Sequence, residues 1–170
     1  TGTMLLGSEI GAALNALEPL EIDLIGLNCA TGPAEMSEHL RYLSKFANCA
    51  ISVLPNAGLP ILGAKGAEYP LGPDELAQAL ETFVGDYGIS LIGGCCGTTP
   101  EHLAAVVNKL GAKAIPKRVS KLDPGASSLY QYVPFRQDNT YLAIGERTNA
   151  NGSRAFRDAL IAEDWESCVE

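Results

Sequence analysis

The chain has 170 residues, 46% of them hydrophobic, with a formal net charge of −8 and five cysteines. That length suffices for one ordinary domain but falls short of the roughly 200–250 residues of a complete (β/α)8 barrel. The acidic balance argues against nucleic acid as a partner, and no apolar run approaches the ~18 residues of a membrane span. An odd number of cysteines, spaced unlike a secreted disulfide framework, and an N-terminus without a basic stretch and apolar core favour a reducing, cytoplasmic compartment.

Residues 8–111 alternate helix-like and strand-like segments, the pattern of repeated βα units. Ser8–Leu17 is predicted as a helix with Ser8 as its N-cap, ending before Glu18-Pro19 because proline disfavours helix in the residue ahead of it. Ile22–Leu27 reads as a buried parallel strand. Gly32-Pro33 opens a second helix, with Met36, Leu40, Leu43 and Phe46 along its apolar face. Ala50–Leu54 is a second strand, ended by the turn Pro55-Asn56-Ala57-Gly58-Leu59-Pro60. Pro73 to Tyr87 is a helix with Leu76, Leu80, Phe83 and Val84 inward. The strand Ile89–Ile92 follows, then a glycine turn, then a helix Pro100–Leu110 capped by Thr99 and stopped by Gly111.

Three strands and four helices, the first helix lacking a strand before it, suggest an α/β fold: the last three βα units of an eight-fold barrel, entered part-way. Residues 112–139 show no steady periodicity and carry three prolines, which marks a linker. Its basic residues Lys113, Lys117, Arg118 and Lys121 are read as solvated rather than as a binding patch. Tyr141–Gly145 is predicted as a new short strand, with a helix from about Arg154. The expected organisation is therefore 1–111, a linker at 112–139 and the start of another domain at 140–170, both ends belonging to a longer protein.

The chemistry concentrates in three cysteines. Cys29 closes the first strand, and Cys95 and Cys96 close the third, inside Gly93-Gly94-Cys95-Cys96-Gly97. In a barrel of parallel strands, C-terminal strand ends converge on the face where active sites form. Three thiols gathered there suit zinc, with three ligands leaving a fourth position open, as in catalytic sites. Three thiolates on Zn²⁺ carry a net charge of −1, a poor centre for activating water but one that keeps an incoming thiol as a nucleophilic thiolate. On these residues alone, a redox thiol pair and buried packing cysteines remain open alternatives. Cys49 and Cys168 read as packing residues, and His39 and His102 as surface or packing histidines, although His102 is near enough to the turn to support a ligand indirectly.

GLNCATGP (26–33), PNAGLP (55–60) and GGCCGTTPEH (93–102) occur in order and together resemble the strand-end motifs of the zinc-dependent homocysteine S-methyltransferase family, over residues 1 to about 111. The resemblance implies that Cys29, Cys95 and Cys96 ligate zinc and that zinc binds homocysteine as a thiolate. Asn28 and Asn56, beside strand ends, are candidates for positioning this substrate, with turn fixing as the plainer reading. IGERTNANGS (144–153) resembles the first strand and loop of the pterin-binding barrel that follows the homocysteine barrel in the cobalamin-dependent methionine synthase family. It implies that Glu146, Thr148 and Asn149 line a methyltetrahydrofolate pocket, although Asn149-Ala150-Asn151-Gly152 is also ordinary turn chemistry.

The implied reaction carries a methyl group from methyltetrahydrofolate to cobalamin, held by a region absent here, and then to homocysteine. The expected partners are these small molecules, the rest of the parent polypeptide and a second copy pairing through open strand edges. This piece is expected to bind zinc without turnover, since the missing half of the barrel orients the substrate. The rival reading is a scaffold module whose zinc is purely structural.

Overall fold

The computed structural model describes residues 4, 7–63, 66–121, 123–142 and 149–169. Its framework is a parallel sheet of β1 (Leu24–Asn28), β2 (Ala50–Leu54) and β5 (Leu91–Ile92), in the order β1-β2-β5. Leu24 pairs with Ala50 and Asn28 with Leu54, while Ser52 and Val53 pair with Leu91 and Ile92. The two-residue period of these strands sends Ile25, Ile51 and Val53 to the face covered by helices. There they meet Leu40 and Leu43 of α2 (Pro33–Phe46), Leu76, Leu80 and Phe83 of α3 (Pro73–Tyr87), and Val106 and Leu110 of α4 (Pro100–Leu110). The spacing that predicts the apolar stripes of α2 and α3 thus selects the residues that fill the core. Leu24 and Leu91 remain exposed at the two edges of the sheet.

Several boundaries move. The first strand begins at Leu24 and the third at Leu91, although Ile89 ahead of it is fully buried. The first helix, α1 (Ile10–Leu17), has Glu9 rather than Ser8 at its N-cap, with no side-chain cap bond. Ser8 is instead buried and its carbonyl accepts from the Met4 N–H. An unpredicted hairpin of β3 (Ile61–Gly63) and β4 (Gly66–Glu68) fills the connection between β2 and α3.

The segment read as a linker carries structure of its own. β6 (Gly125–Ser127) and β7 (Tyr132–Pro134) form an antiparallel hairpin whose turn is closed by the Ser128 hydroxyl accepting from the Tyr130 and Gln131 N–H groups. The hairpin packs on α1: the Glu9 N–H donates to the Tyr130 carbonyl (2.8 Å) and Asn15 Nδ2 to Ser127 Oγ (3.0 Å).

Arg118 also departs from expectation. It is half-buried, and its guanidinium donates to the carbonyls of Ala47 (3.0 Å), Ser44 (3.4 Å) and Cys49, just where α2 ends. A cation at a helix C-terminus satisfies the carbonyls the helix leaves free and complements its dipole. Lys113, Lys117 and Lys121 are exposed, with Lys113 paired to Glu81 (2.6 Å).

Residues 136–170 form a separate unit. Within it, α5 (Arg154–Ala162) is capped by Ser153 Oγ, which accepts from the Phe156 N–H. Glu163 then turns left-handed, and Asp164 caps the short α6 (Trp165–Val169) through Ser167. Of the strand predicted over Tyr141–Gly145, Tyr141 and Leu142 are not in a strand and the other residues lie outside the described residues. No helix among the described residues is long and apolar enough to cross a membrane.

Arg118→Ala removes charged hydrogen bonds to α2 that water replaces poorly. It is expected to lower unfolding free energy by about 1.5–3 kcal/mol, whereas Lys117→Ala changes it by less than about 0.5 kcal/mol. Urea unfolding of the two variants makes the comparison; equal effects would contradict the buried role of Arg118.

Candidate metal centre

Because β2 lies between β1 and β5, the segment leaving it passes between the loops that leave its neighbours. Parallel pairing therefore continues past the strand ends. On one side the Cys29 N–H donates to the Leu54 carbonyl (2.9 Å) and the Asn56 N–H to the Thr31 carbonyl (3.0 Å). On the other, the Cys95 N–H donates to Pro55 (2.8 Å) and the Ala57 N–H to Cys96 (2.9 Å). Residues 54–57 thus hold both cysteine loops in register.

Asn56 completes the join with its side chain. It is buried, and its Oδ1 accepts from the Cys96 N–H (3.1 Å). Asn28, at the end of β1, is exposed. Of the two asparagines singled out from the sequence, the structure brings Asn56 into the site and leaves Asn28 beside it.

The three thiols converge. Cys29 Sγ lies 3.6 Å from Cys96 Sγ, Cys95 Sγ lies 3.9 Å from Cys96 Sγ, and all three fall within 4.8 Å of one another. Three sulfurs at ~2.3 Å from a tetrahedral ion stand about 3.8 Å apart, close to the 3.6 and 3.9 Å that separate Cys96 from its two neighbours. Cys29 (φ 64°) and Ala30 (φ 66°) are both left-handed. Such a conformation costs a non-glycine residue about 1–2 kcal/mol, and it persists where surrounding bonds impose it. Here those bonds are the ones to Leu54 and Thr31.

After Cys96 the chain turns sharply, with Thr98 Oγ1 donating to the Cys95 carbonyl (2.6 Å). Gly97 is left-handed (φ 79°), and a Cβ on it would stand 2.3 Å from Cγ of Tyr69. No side chain other than glycine's hydrogen fits there.

Proton affinities within the cluster diverge. The Ala30 backbone N–H, then the Cys96 and Cys95 thiols, hold Cys29 below the ordinary thiol range. Cys95 is pushed up, first by its hydrogen bond to Cys29 and then by burial. One thiolate forms readily and discourages the next, a repulsion that a divalent cation relieves.

Cys49 is half-buried and raised mainly by burial, and Cys168 lies in α6; neither joins the cluster. His102 is buried. Its Nδ1 accepts from the Thr99 N–H (3.2 Å), which places the proton on Nε2, donating to the Leu71 carbonyl (2.9 Å). It fastens the start of α4 to the chain entering α3 and supports the cysteine turn only through that packing. Tyr69, half-buried, packs its ring against Gly97 in the cysteine turn, and no spacing in the sequence signals it.

In the separate unit, Asn149 Oδ1 accepts from the Asn151 N–H (2.9 Å), and its carbonyl accepts from Gly152 and Ser153, a turn leading into α5. Glu146 and Thr148 lie outside the described residues.

Asn56→Ala leaves the Cys96 N–H unpartnered beneath a ligand. Zinc affinity is expected to fall roughly 10- to 100-fold, the usual cost of losing support around a metal ligand, with Asn28→Ala near the native value. Competition against a chromophoric chelator measures both, and an unchanged Asn56→Ala affinity would contradict the bridging role.

The profile of the homocysteine S-methyltransferase family matches residues 1–110. A methionine synthase of Mycobacterium tuberculosis (strain ATCC 25618 / H37Rv) is 64% identical over 170 residues, all of this chain and 14% of the relative. A methionine synthase of Mycobacterium leprae (strain TN) is 63% identical over 175 residues, again covering the whole chain and 14% of the relative. The chain therefore spans about one seventh of the length of these curated relatives. With its sulfur cluster built from that matched region, the chain belongs to the homocysteine S-methyltransferase family.

Proposed function

We propose that the chain is the zinc-bearing part of a methionine-forming methyltransferase, and that its site prepares the thiol of homocysteine for methylation. The observation that carries this reading is the spacing of the Cys29, Cys95 and Cys96 sulfurs, which suits three corners of a tetrahedron around one ion. Among the described residues no fourth cysteine, histidine or carboxylate joins them, which favours an exchangeable position over a structural zinc.

When bound there, zinc would take the substrate thiol as its fourth ligand and hold it as a thiolate near neutral pH. The protein's residues do the rest. Asn56 and the backbone of residues 54–57 keep the three sulfurs on one side, and the exposure of Cys96 leaves an approach for substrate. The thiol proton passes to solvent. Asn28, at the adjacent strand end, is proposed to contact the substrate.

The parallel sheet with covering helices supports three βα units of a (β/α)8 barrel over residues 1–111. The edges at β1 and β5 would then be completed by the rest of the parent chain, with pairing to a second copy as the alternative. Residues 112–139 join this part to a proposed pterin-binding region at 140–170, where Glu146, Thr148 and Asn149 would meet methyltetrahydrofolate. Cobalamin would be carried elsewhere in the parent protein. Free thiols on five cysteines fit a cytoplasmic setting.

The test is a calorimetric titration of the zinc-loaded chain with L-homocysteine in two buffers of different ionisation enthalpy. Binding with release of about one proton is expected, with no binding of L-homoserine and none after Cys96→Ser. Homoserine binding as well as homocysteine, or no proton release, would overturn the reading.

A further inference from the structure

Behind the cysteine pair, hydrogen bonds from three separate segments close into a ring. The Ala57 N–H donates to the Cys96 carbonyl (2.9 Å), and the Leu71 N–H donates to the Ala57 carbonyl (3.0 Å). The Leu71 carbonyl accepts from His102 Nε2 (2.9 Å), and His102 Nδ1 accepts from the Thr99 N–H (3.2 Å). Gly97 and Thr98 then lead from Thr99 back to Cys96. The ring thus ties the chain leaving β2 to the chain entering α3 and to the turn between the cysteines and α4.

His102 is the one member that joins through its side chain, and it is buried. It stands at the third position of α4, where the partner of an N-cap threonine is usually Glu or Gln. A glutamate there could only accept. Imidazole accepts at one edge and donates at the other, so this residue caps α4 and also holds the Leu71 carbonyl. A buried polar network with each partner satisfied is rigid. The Cys96 sulfur hangs from the same residue whose carbonyl the ring holds, so a shift of the turn displaces that sulfur.

We infer that His102 is a positioning residue for the metal ligands: by bridging Thr99 to Leu71 it closes the ring that sets the place of Cys96, and with it the open position facing the substrate thiol. This rests on the metal reading of the cluster proposed above.

The experiment measures zinc affinity by competition with a chelator, the visible spectrum of the cobalt(II)-substituted chain, and amide hydrogen exchange. His102→Leu removes both bonds. Zinc affinity is expected to fall roughly tenfold, as for lost support behind a metal ligand, with a changed cobalt spectrum and faster exchange at Thr99. His102→Gln, whose amide both accepts and donates, is expected to restore all three. A role confined to fold stability would leave the cobalt spectrum of the folded chain as it is. His102→Asn keeps an acceptor near Thr99 but ends short of Leu71. It is expected to lower zinc affinity with Thr99 still protected, and it serves if the leucine variant fails to fold. Native zinc affinity and cobalt spectrum in the leucine or asparagine protein overturn this inference alone. A loss that glutamine leaves unrestored, with Thr99 again protected, also overturns it. A native chain that takes up no zinc overturns the metal reading and this inference with it.

Discussion

The short segment Leu54–Ala57 is the piece on which the site depends. It leaves the central strand of the sheet and bonds on one side to the loop of Cys29 and on the other to the loop of Cys95 and Cys96. Without it, two loops distant in sequence would each follow its own strand end, with nothing to fix their separation. The burial of Ile51 and Val53 anchors β2 beneath the helices, so packing energy in the core is carried forward into the position of the sulfurs. Asn56 adds a side-chain bond to the loop of Cys95 and Cys96. It is the one residue in the segment whose side chain, rather than backbone, specifies the join.

The geometry so imposed runs against the local preferences of the chain. Two consecutive non-glycine residues are left-handed at Cys29 and Ala30, and three thiols are crowded where one thiolate opposes the next. Strain and like-charge crowding tend to gather where function needs a prearranged site. A divalent cation bound among the sulfurs would offset the crowding of charge. Of the three cluster cysteines Cys96 alone is exposed to solvent.

Much of this was legible in the sequence, for physical reasons that differ by element. The helices α2, α3 and α4 announce themselves because one face of each must be apolar at helical spacing. The three parallel strands are short continuous apolar runs ended by glycine or proline. The cysteines stand out because strand ends in such folds converge. What escaped were contacts whose partners carry no distinctive residue type. Arg118 bonds backbone carbonyls at the end of α2, and any segment has carbonyls, so a basic residue among prolines looked solvated. The β6–β7 hairpin is three residues a side, too short to show a period, and takes its stability from α1. Ser8 looked like a cap by type, but the helix starts one residue later. Asn56 was read as positioning substrate or fixing a turn, while its bond to the Cys96 N–H is a tertiary fact, and Tyr69 reaches Gly97 only by folding.

Whether the three sulfurs hold one ion and leave room for a fourth ligand decides what this site can do. Zinc K-edge absorption on the metal-loaded chain, before and after L-homocysteine, reads this directly. Three sulfur neighbours at ~2.3 Å with one lighter atom, becoming four sulfurs on addition of homocysteine, is the predicted result. Four protein ligands unchanged by homocysteine, or failure to retain one zinc per chain, would contradict it.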